Sequence, residues 1–159
     1  MGRRRWIMWQ GLITPSLERF ILVADNSGFE LNGLILQADE KIPYVVRYRI
    51  QVDASWTTRE LELELENGGS RTLRLSRSAA GHWTRDGHRL VGFDGCSDVD
   101  IEWSPSTNAL PIRRLGLSVG QIAGVTATWI RLRSLEIERL DQSYERLADY
   151  ATTIAPAIS

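Results

Sequence analysis

Apolar and polar residues alternate along the middle of the chain. In residues 42–53, IPYVVRYRIQVD, the even positions are all aliphatic or tyrosine, whereas most odd positions are polar. Successive side chains of a β-strand point to opposite faces, so a strand would place the apolar set on one face. Residues 60–66, ELELELE, alternate in the same way, and a helical period would scatter their leucines around the helix. Both segments are therefore predicted to be strands.

Turn signals separate these segments from further alternating ones. Asn67-Gly68-Gly69 predicts a hairpin between residues 60–66 and 72–76, and Asp86-Gly87 predicts a two-residue turn. About ten to twelve strands, with turns every eight to twelve residues or so, are typical of an all-β sandwich or barrel. We predict a single all-β domain of antiparallel strands over residues 1–159, with its core in 6–140. In the variable tail, 141–159, residues 141–151 fit a short helix as well as a frayed strand.

Composition and charge narrow the classes of function. The chain has 19 basic and 20 acidic residues and a net charge of -1, without the basic surplus that binds phosphates, so no nucleic-acid partner is predicted. The single cysteine, Cys96, excludes an internal disulfide and a cysteine-based zinc site. The apolar runs are too short for a secretory signal or a transmembrane segment, so we expect a cytoplasmic protein. The oligomeric state is left open.

Two patterns that suggest catalysis or metal binding lack the context that their chemistry needs. Residues 116–120, GLSVG, match the G-x-S-x-G string of a nucleophile elbow. However, no histidine follows His88, and a strand instead of a helix is predicted next. His82 and His88 flank a predicted turn and match no metal-ligand spacing. We therefore predict no catalytic residue, no metal site and no cofactor.

Three carboxylates share one face of a predicted strand. Asp98, Asp100 and Glu102 alternate with apolar residues, which places successive carboxylates about 6.8 Å apart. Two carboxylates near that separation could form a glycosidase pair. Such pairs normally come from different strands that line a cleft, so a structural role or polar recognition is favoured. Arg113 and Arg114 are the candidate partners.

The segment after these carboxylates, residues 103–115, has the sequence WSPSTNALPIRRL. Its two prolines cannot lie inside a central ladder, so the chain is predicted to leave the sheet in a rigid loop that presents Asn108, Arg113 and Arg114. Trp103, at its start, is one of six tryptophans, some of which could stack on a sugar ring or line an apolar chain. Whether the two arginines are structural or bind a ligand is left open.

These segments resemble a known family. DGCSDVDI at 94–101 and SPSTNALPIRRL at 104–115 are similar to the DGC-x-DVDI and TP-x-TN-x-LPIRRL motifs of the glycolipid-binding protein family of bacteria, first described as a family of unknown function. WQGLITPSLE at 9–18 resembles its W-x-G-L-x-T-P-x-L-E motif. The likeness extends from about Trp9 to Arg139, with Ser104 where the family has threonine. Because family members continue into further strands beyond the Tyr144 region, we expect an exposed edge or an open cavity here.

The resemblance implies a fold and a function. The expected fold is a barrel-like or open half-barrel sheet, similar to lipoprotein-carrier domains, with an apolar cavity. The expected function is non-catalytic binding or transport of an amphipathic molecule, a glycolipid. The residues predicted to bind it are Trp103, Asn108, Arg113, Arg114, Asp98 and Asp100. Two alternatives stay open: a carbohydrate- or lipid-acting enzyme that uses Asp98 and Asp100, and a structural domain without a ligand.

Overall fold

The described part of the computed structural model covers residues 4–24, 26–38 and 42–149 and the backbone of 151–156. Within these ranges the chain forms two sheets. The eight-stranded sheet consists of β1 (Arg4–Gln10), β2 (Ser16–Ala24), β3 (Gly28–Gln37), β4 (Tyr44–Asp53), β5 (Thr58–Glu66), β6 (Ser70–Arg77), β7 (Trp83–Arg85) and β8 (His88–Arg89). The four-stranded sheet consists of β9 (Asp98–Ile101), β10 (Ile122–Arg131), β11 (Glu136–Ala148) and β12 (Ala151–Pro156).

The large sheet is an antiparallel meander in which the strand order follows the chain from β1 to β8. It is not closed into a barrel, because β1 and β8 lie at opposite ends of that order. An all-β, open half-barrel fold is thus confirmed. One strand pair departs from the antiparallel prediction: β9 and β10 run parallel. Parallel neighbours need a crossover connection, and residues 102–121 provide it.

The chain leaves the sheet after β9, as predicted, but the predicted rigid loop was wrong, because the crossover is helical. A 3₁₀ turn at Pro105–Asn108 leads into helix α1, Ala109–Leu115, which ends at Gly116 in the left-handed conformation (φ 54°). Both prolines are compatible with this, because they lie in first turns, where backbone N–H groups have no intrahelical acceptor. No helix in the described ranges is long and apolar enough to cross a membrane.

The predicted tail begins with a strand. For residues 141–151, a short helix and a frayed strand were both possible, and the structure shows that β11 covers this segment up to Ala148. β11 crosses residue 141, continues to Ala148, and pairs with β10 on one side and β12 on the other. The short helix of this fold therefore lies at Ala109–Leu115 and not in the tail. Residue 150 and residues 157–159 of the predicted tail lie outside the described residues.

The apolar and polar residues that alternate in the sequence lie on the inner and outer faces of the large sheet, respectively. Along β4, Val46, Tyr48, Ile50 and Val52 are buried in the core. The three leucines of β5 are buried beside them, and residues of the small sheet and crossover, including Ile101 and Leu110, complete the cluster. The core thus lies between the inner face of the large sheet and the crossover.

The outer face of β4–β6 is charged. Arg49 lies 2.8 Å from the Glu62 carboxylate, Arg74 lies 3.7 Å from the same carboxylate, and Arg47 pairs with Glu66. Such exposed pairs contribute little to stability, but opposite charges on neighbouring strands favour this register.

Candidate functional site

A buried carboxylate connects the crossover to the large sheet. Glu18 on β2 is 2% exposed and accepts hydrogen bonds from Tyr48 Oη (2.5 Å) and Ser104 Oγ (2.6 Å). It also accepts bonds from Ser106 Oγ (2.8 Å) and the Ser106 backbone N–H (3.3 Å). Burial, and then the Glu18 charge, raise the pKa of Tyr48 well above its usual range, so its phenol stays protonated and donates. Four donors replace the water that Glu18 loses.

Tyr48 reaches Glu18 because the strand between them carries a glycine. Gly33 on β3 pairs with Tyr48 on β4 and with Phe20 on β2. A Cβ atom at position 33 would lie 2.0 Å from two carbons of the Tyr48 ring. The ring therefore crosses directly over Gly33, a close approach that only glycine allows.

A second buried carboxylate fixes helix α1 to β9. Asp98 is 1% exposed, and Arg114 binds it through two parallel bonds, Nε to Oδ1 (3.1 Å) and Nη2 to Oδ2 (2.5 Å). This fork geometry is the strong form of an arginine–carboxylate pair. Burial raises the pKa of Asp98, and the bonded, charged Arg114 guanidinium opposes that rise.

Asp100, two residues further along β9, is also bonded within the protein. Its Oδ1 accepts from Thr107 Oγ1 (2.9 Å) and its Oδ2 from Gln142 Nε2 (3.0 Å). Burial raises its pKa, which these two bonds oppose. The Tyr144 hydroxyl extends the network, lying 2.9 Å from Asn108 Oδ1 and 3.2 Å from Gln142 Oε1. Both carboxylates of the predicted site thus have partners within the protein, Asp98 in a pair with Arg114 and Asp100 in this network.

On the other side of the crossover lies an open groove of about 720 Å³, between edge strand β1 and helix α1. This volume falls in the range of roughly 300–1,000 Å³ that small-molecule sites occupy. Its principal apolar lining residues are Ile7, Trp9, Phe20, Ile112 and Leu117. Its polar lining residues are Ser106, Asn108, Arg113, Tyr144, Arg146 and Asp149. The groove therefore combines an apolar wall with two cationic side chains.

The two arginines of the groove differ in how firmly they are held. Arg146 donates to the Leu117 carbonyl (2.7 Å) and lies 3.6 Å from the Asp149 carboxylate. Arg113 is exposed, and its guanidinium lies 5.8 Å from the centroid of the Trp56 ring. Among the described residues it makes no ion pair. Arg113 is thus the cation available to an added group.

Trp103 lies in a different place. Its ring packs edge-on against Tyr44, with centroids 5.2 Å apart, and the Arg133 guanidinium lies 5.8 Å from its ring centroid. It is not a lining residue of the groove. The structure therefore does not bring Trp103 together with Asn108 and Arg113, as the predicted set assumed.

The comparisons with known proteins agree with this architecture. The family model described as "Putative glycolipid-binding" matches residues 6–157. The chain belongs to this family. The crystal structure of a DUF1089 family protein from Pseudomonas aeruginosa, at 1.80 Å resolution, is similar to it, with 36% sequence identity and a TM-score of 0.78. The similarity covers 96% of this chain and 84% of that one. No curated protein matches the chain.

The residues by which the sequence resembles this glycolipid-binding family fall largely into the buried network. Glu18 closes the first motif, whereas Ser104 and Ser106 belong to the last. Sequence reasoning did not assign Glu18 or Tyr48 to a site. A signal was present for Glu18, because strand alternation places it on the same face as Phe20, where a charge needs partners.

The predicted site residues therefore fall into three places in this glycolipid-binding family member. Asp98 and Arg114 form one internal pair, and Asp100 lies in the internal network with Thr107 and Gln142. Arg113 faces the groove, Asn108 reaches both, and Trp103 stands apart. Sequence reasoning missed the wall that β1 provides, Ile7 and Trp9, because the partner of an edge strand across a groove is set by tertiary packing.

Proposed function

We propose that this protein binds or carries an amphipathic molecule of the glycolipid class, without catalysing a reaction, and that the groove between β1 and α1 holds it. The observation that carries the proposal is the pairing of an apolar wall with cationic side chains in one groove. The family description, glycolipid-binding, supports the same class of ligand.

The apolar part of the ligand lies against β1 and the start of the crossover. Ile7 and Trp9 point to the same side as Phe20, because Ile7 pairs with Phe20 across the ladder. Both are more than two-fifths exposed, so an alkyl chain laid on them removes apolar surface from water. Each buried CH₂ group contributes roughly 0.8 kcal/mol.

The polar part of the ligand lies along α1, between Asn108, which precedes the helix, and Arg113 in its second half. Arg113 provides hydrogen-bond donors and a positive charge, and Asn108 lies in the same lining. A guanidinium binds a phosphate or carboxylate through two bonds and also donates to sugar hydroxyls. A sugar that carries an anionic group would use both properties.

The two carboxylates of β9 favour binding over catalysis. A glycosidase needs an acid and a second carboxylate at the substrate. Asp98 is occupied by Arg114, Asp100 is occupied by Thr107 and Gln142, and neither lines the groove. Turnover of a panel of glycosides by the wild-type protein, abolished by Asp100→Asn, would overturn the non-catalytic proposal.

Binding is tested with an alkyl glycoside, dodecyl maltoside, kept below its micelle concentration and followed by tryptophan fluorescence. Ile112→Glu places a charge in the apolar wall and should weaken the affinity by about tenfold or more, the equivalent of two lost CH₂ contacts. Ile122→Glu is the matched control, because Ile122 is exposed outside the groove lining, and its affinity should stay that of the wild type.

Native mass spectrometry of protein purified from its own host provides a second readout. A co-purifying lipid that is lost in the Ile112→Glu variant would support the proposal. Equal affinity of wild type and Ile112→Glu for dodecyl maltoside would place the ligand elsewhere. Protein that carries no lipid and does not bind the glycoside would favour a structural domain.

A further inference from the structure

The outer face of β1–β3 is largely apolar, in contrast to the charged outer face of β4–β6. Strand alternation places Glu18 and Phe20 inside, so Leu17, Arg19 and Ile21 of β2 lie outside. Antiparallel partners share a face, and the registers add the apolar neighbours from β1 and β3. We call this surface the outer patch; it comprises Trp6, Met8, Leu17, Ile21, Leu34 and Leu36.

The outer patch is open to solvent. Trp6 and Met8 are each 63% exposed, and Leu17 and Leu36 are 43% and 45% exposed. Leu12 and Ile13, in the connection between β1 and β2 at the end where Leu17 and Leu36 pair, are both 99% exposed. An antiparallel sheet with one solvated face normally carries polar residues there. A contiguous apolar surface of this kind marks an interaction site.

The charged residues of this face that make no ion pair are positive, although the whole chain carries a net charge of -1. The acidic residue of the face, Glu30, pairs with Val23 across the ladder and lies 3.7 Å from Arg49. Arg4 pairs with Val23 and Arg19 with Met8, so both lie on the outer face, and Arg5 lies on the other side of β1. In the part of the chain that the structure describes, these three arginines make no ion pair. The patch itself contains no acidic residue.

This charge decides which partner fits. Two copies of the chain joined through their outer patches would enclose Arg19 of each copy, which lies between Met8 and Leu34, without an acidic partner in the patch, an unfavourable arrangement. An anionic lipid surface is complementary to the same arginines. Tryptophan and aliphatic side chains combined with arginine are the residues of interfacial membrane-binding faces.

We propose that the outer patch, together with Leu12 and Ile13, docks on the surface of an anionic phospholipid bilayer. The docking does not require the groove to bind a ligand. It does have a consequence for the proposed function, because Ile7 and Trp9 line the groove from the other face of the same strand. A docked protein would hold the groove at the lipid surface, where an amphipathic ligand can leave or enter the bilayer.

Cosedimentation with vesicles tests the docking. Wild-type protein should bind phosphatidylcholine vesicles that contain one-third phosphatidylglycerol. Its affinity for vesicles of pure phosphatidylcholine should be about tenfold lower. High salt should weaken the binding to the anionic vesicles, because it screens the arginines. No cosedimentation of the wild type with anionic vesicles would overturn the proposal.

Two double variants locate the contact. Leu12→Ser with Ile13→Ser, and Trp6→Ser with Met8→Ser, should each reduce vesicle binding by about tenfold, because they remove the apolar contact. The matched control is Val119→Ser with Ile122→Ser, two exposed aliphatic residues outside the patch, and it should bind as the wild type does. Equal vesicle binding by all three double variants would overturn the location.

The docking and the groove can fail separately. The Trp6→Ser, Met8→Ser variant should keep its affinity for dodecyl maltoside, because neither residue lines the groove. Vesicle binding that fails while glycoside binding persists would overturn the docking alone. A dimer in analytical ultracentrifugation that this variant converts to a monomer, with vesicle binding unchanged, would show the patch to be an interface between copies and would also overturn the docking.

Discussion

Arg113 and Arg114 are neighbours on one short helix, yet they lie in opposite environments. Arg114 makes two bonds to Asp98, which is buried on β9. Arg113, about 100° further around the helix, is exposed and lines the groove. Arginine thus has two roles on α1. On one side of the helix, Arg114 stabilises the fold, and on the other side, Arg113 is available to a ligand. Residue type alone does not decide between these roles.

The whole crossover shows the same division. Ser104, Ser106 and Thr107 point their hydroxyls at the carboxylates of buried Glu18 and half-buried Asp100. Pro105, Ala109 and Ile112 line the groove. The motif that identifies the family therefore specifies a structural network and a binding wall together, because one short helical segment has two sides.

The largest expected effect is on the network side, from Glu18→Ala. The change leaves the donors of Tyr48, Ser104 and Ser106 without their acceptor in a buried site. We expect a loss of about 3 kcal/mol in the free energy of unfolding, measured by urea denaturation.

Glu60→Ala serves as the matched control, because Glu60 is an exposed glutamate on β5. It should change the free energy of unfolding little. Similar stabilities for the two variants would show that Glu18 is not the central acceptor of the network.

Arg114→Ala should have the next largest effect, about 2 kcal/mol near neutral pH, because it removes the guanidinium that bonds the buried Asp98 carboxylate. The loss should depend on pH. Burial already raises the pKa of Asp98, and the variant lacks the guanidinium that opposes the rise. The folded variant therefore binds a proton more tightly than the unfolded chain does.

The sign follows from that difference in proton binding. A carboxyl whose pKa is higher in the folded protein than in the unfolded chain, such as Asp98 in this variant, lowers the free energy of unfolding as pH rises through the folded-state pKa. The loss is recovered as pH falls. Urea denaturation at neutral pH and at about pH 5 should show a smaller penalty for Arg114→Ala at the lower pH. A penalty that stays constant or grows on acidification would contradict a destabilised Asp98 carboxylate.

The smallest effect on stability is expected for Arg113→Ala. Its guanidinium contacts only the Trp56 ring among the described partners, at 5.8 Å, so the free energy of unfolding should change by less than about 0.5 kcal/mol. Affinity for an anionic single-chain amphiphile, dodecyl phosphate, should fall severalfold in a fluorescence titration. A clear drop in melting temperature with unchanged affinity for dodecyl phosphate would show that Arg113 has a structural role and does not bind the ligand.

Strand periodicity predicted the large sheet well, because alternation needs only local geometry. Residues 42–53 and 60–66 form β4 and β5 with the expected faces inward. The two prolines of residues 103–115 correctly indicated that the chain leaves the sheet there, but the prediction of a loop was wrong, because the segment is helical. Both lie in first turns of helical segments, where proline is tolerated. The tail was ambiguous because the spacing of the apolar residues in 141–151 fits a strand and a helix equally well.

The site was less predictable than the fold. The sequence placed Asp98, Asp100, Asn108, Arg113 and Arg114 near one another, and it offered arginine as the partner of the carboxylates. It could not assign Arg114 to Asp98 or Arg113 to the groove, since one residue step around a helix changes the side that it faces. Trp103 was grouped with them by proximity in sequence, and the structure separates it.

The sequence by itself therefore determined the strand faces, the all-β class and the family, because these depend on local alternation and on the identity of consecutive residues. The tertiary structure alone decided that Glu18 meets Ser104 and Ser106, 86 and 88 residues away, and that β1 faces α1 across a groove. The physical reason is that a buried carboxylate must find donors wherever the fold brings them. A groove likewise exists only between elements that packing holds apart.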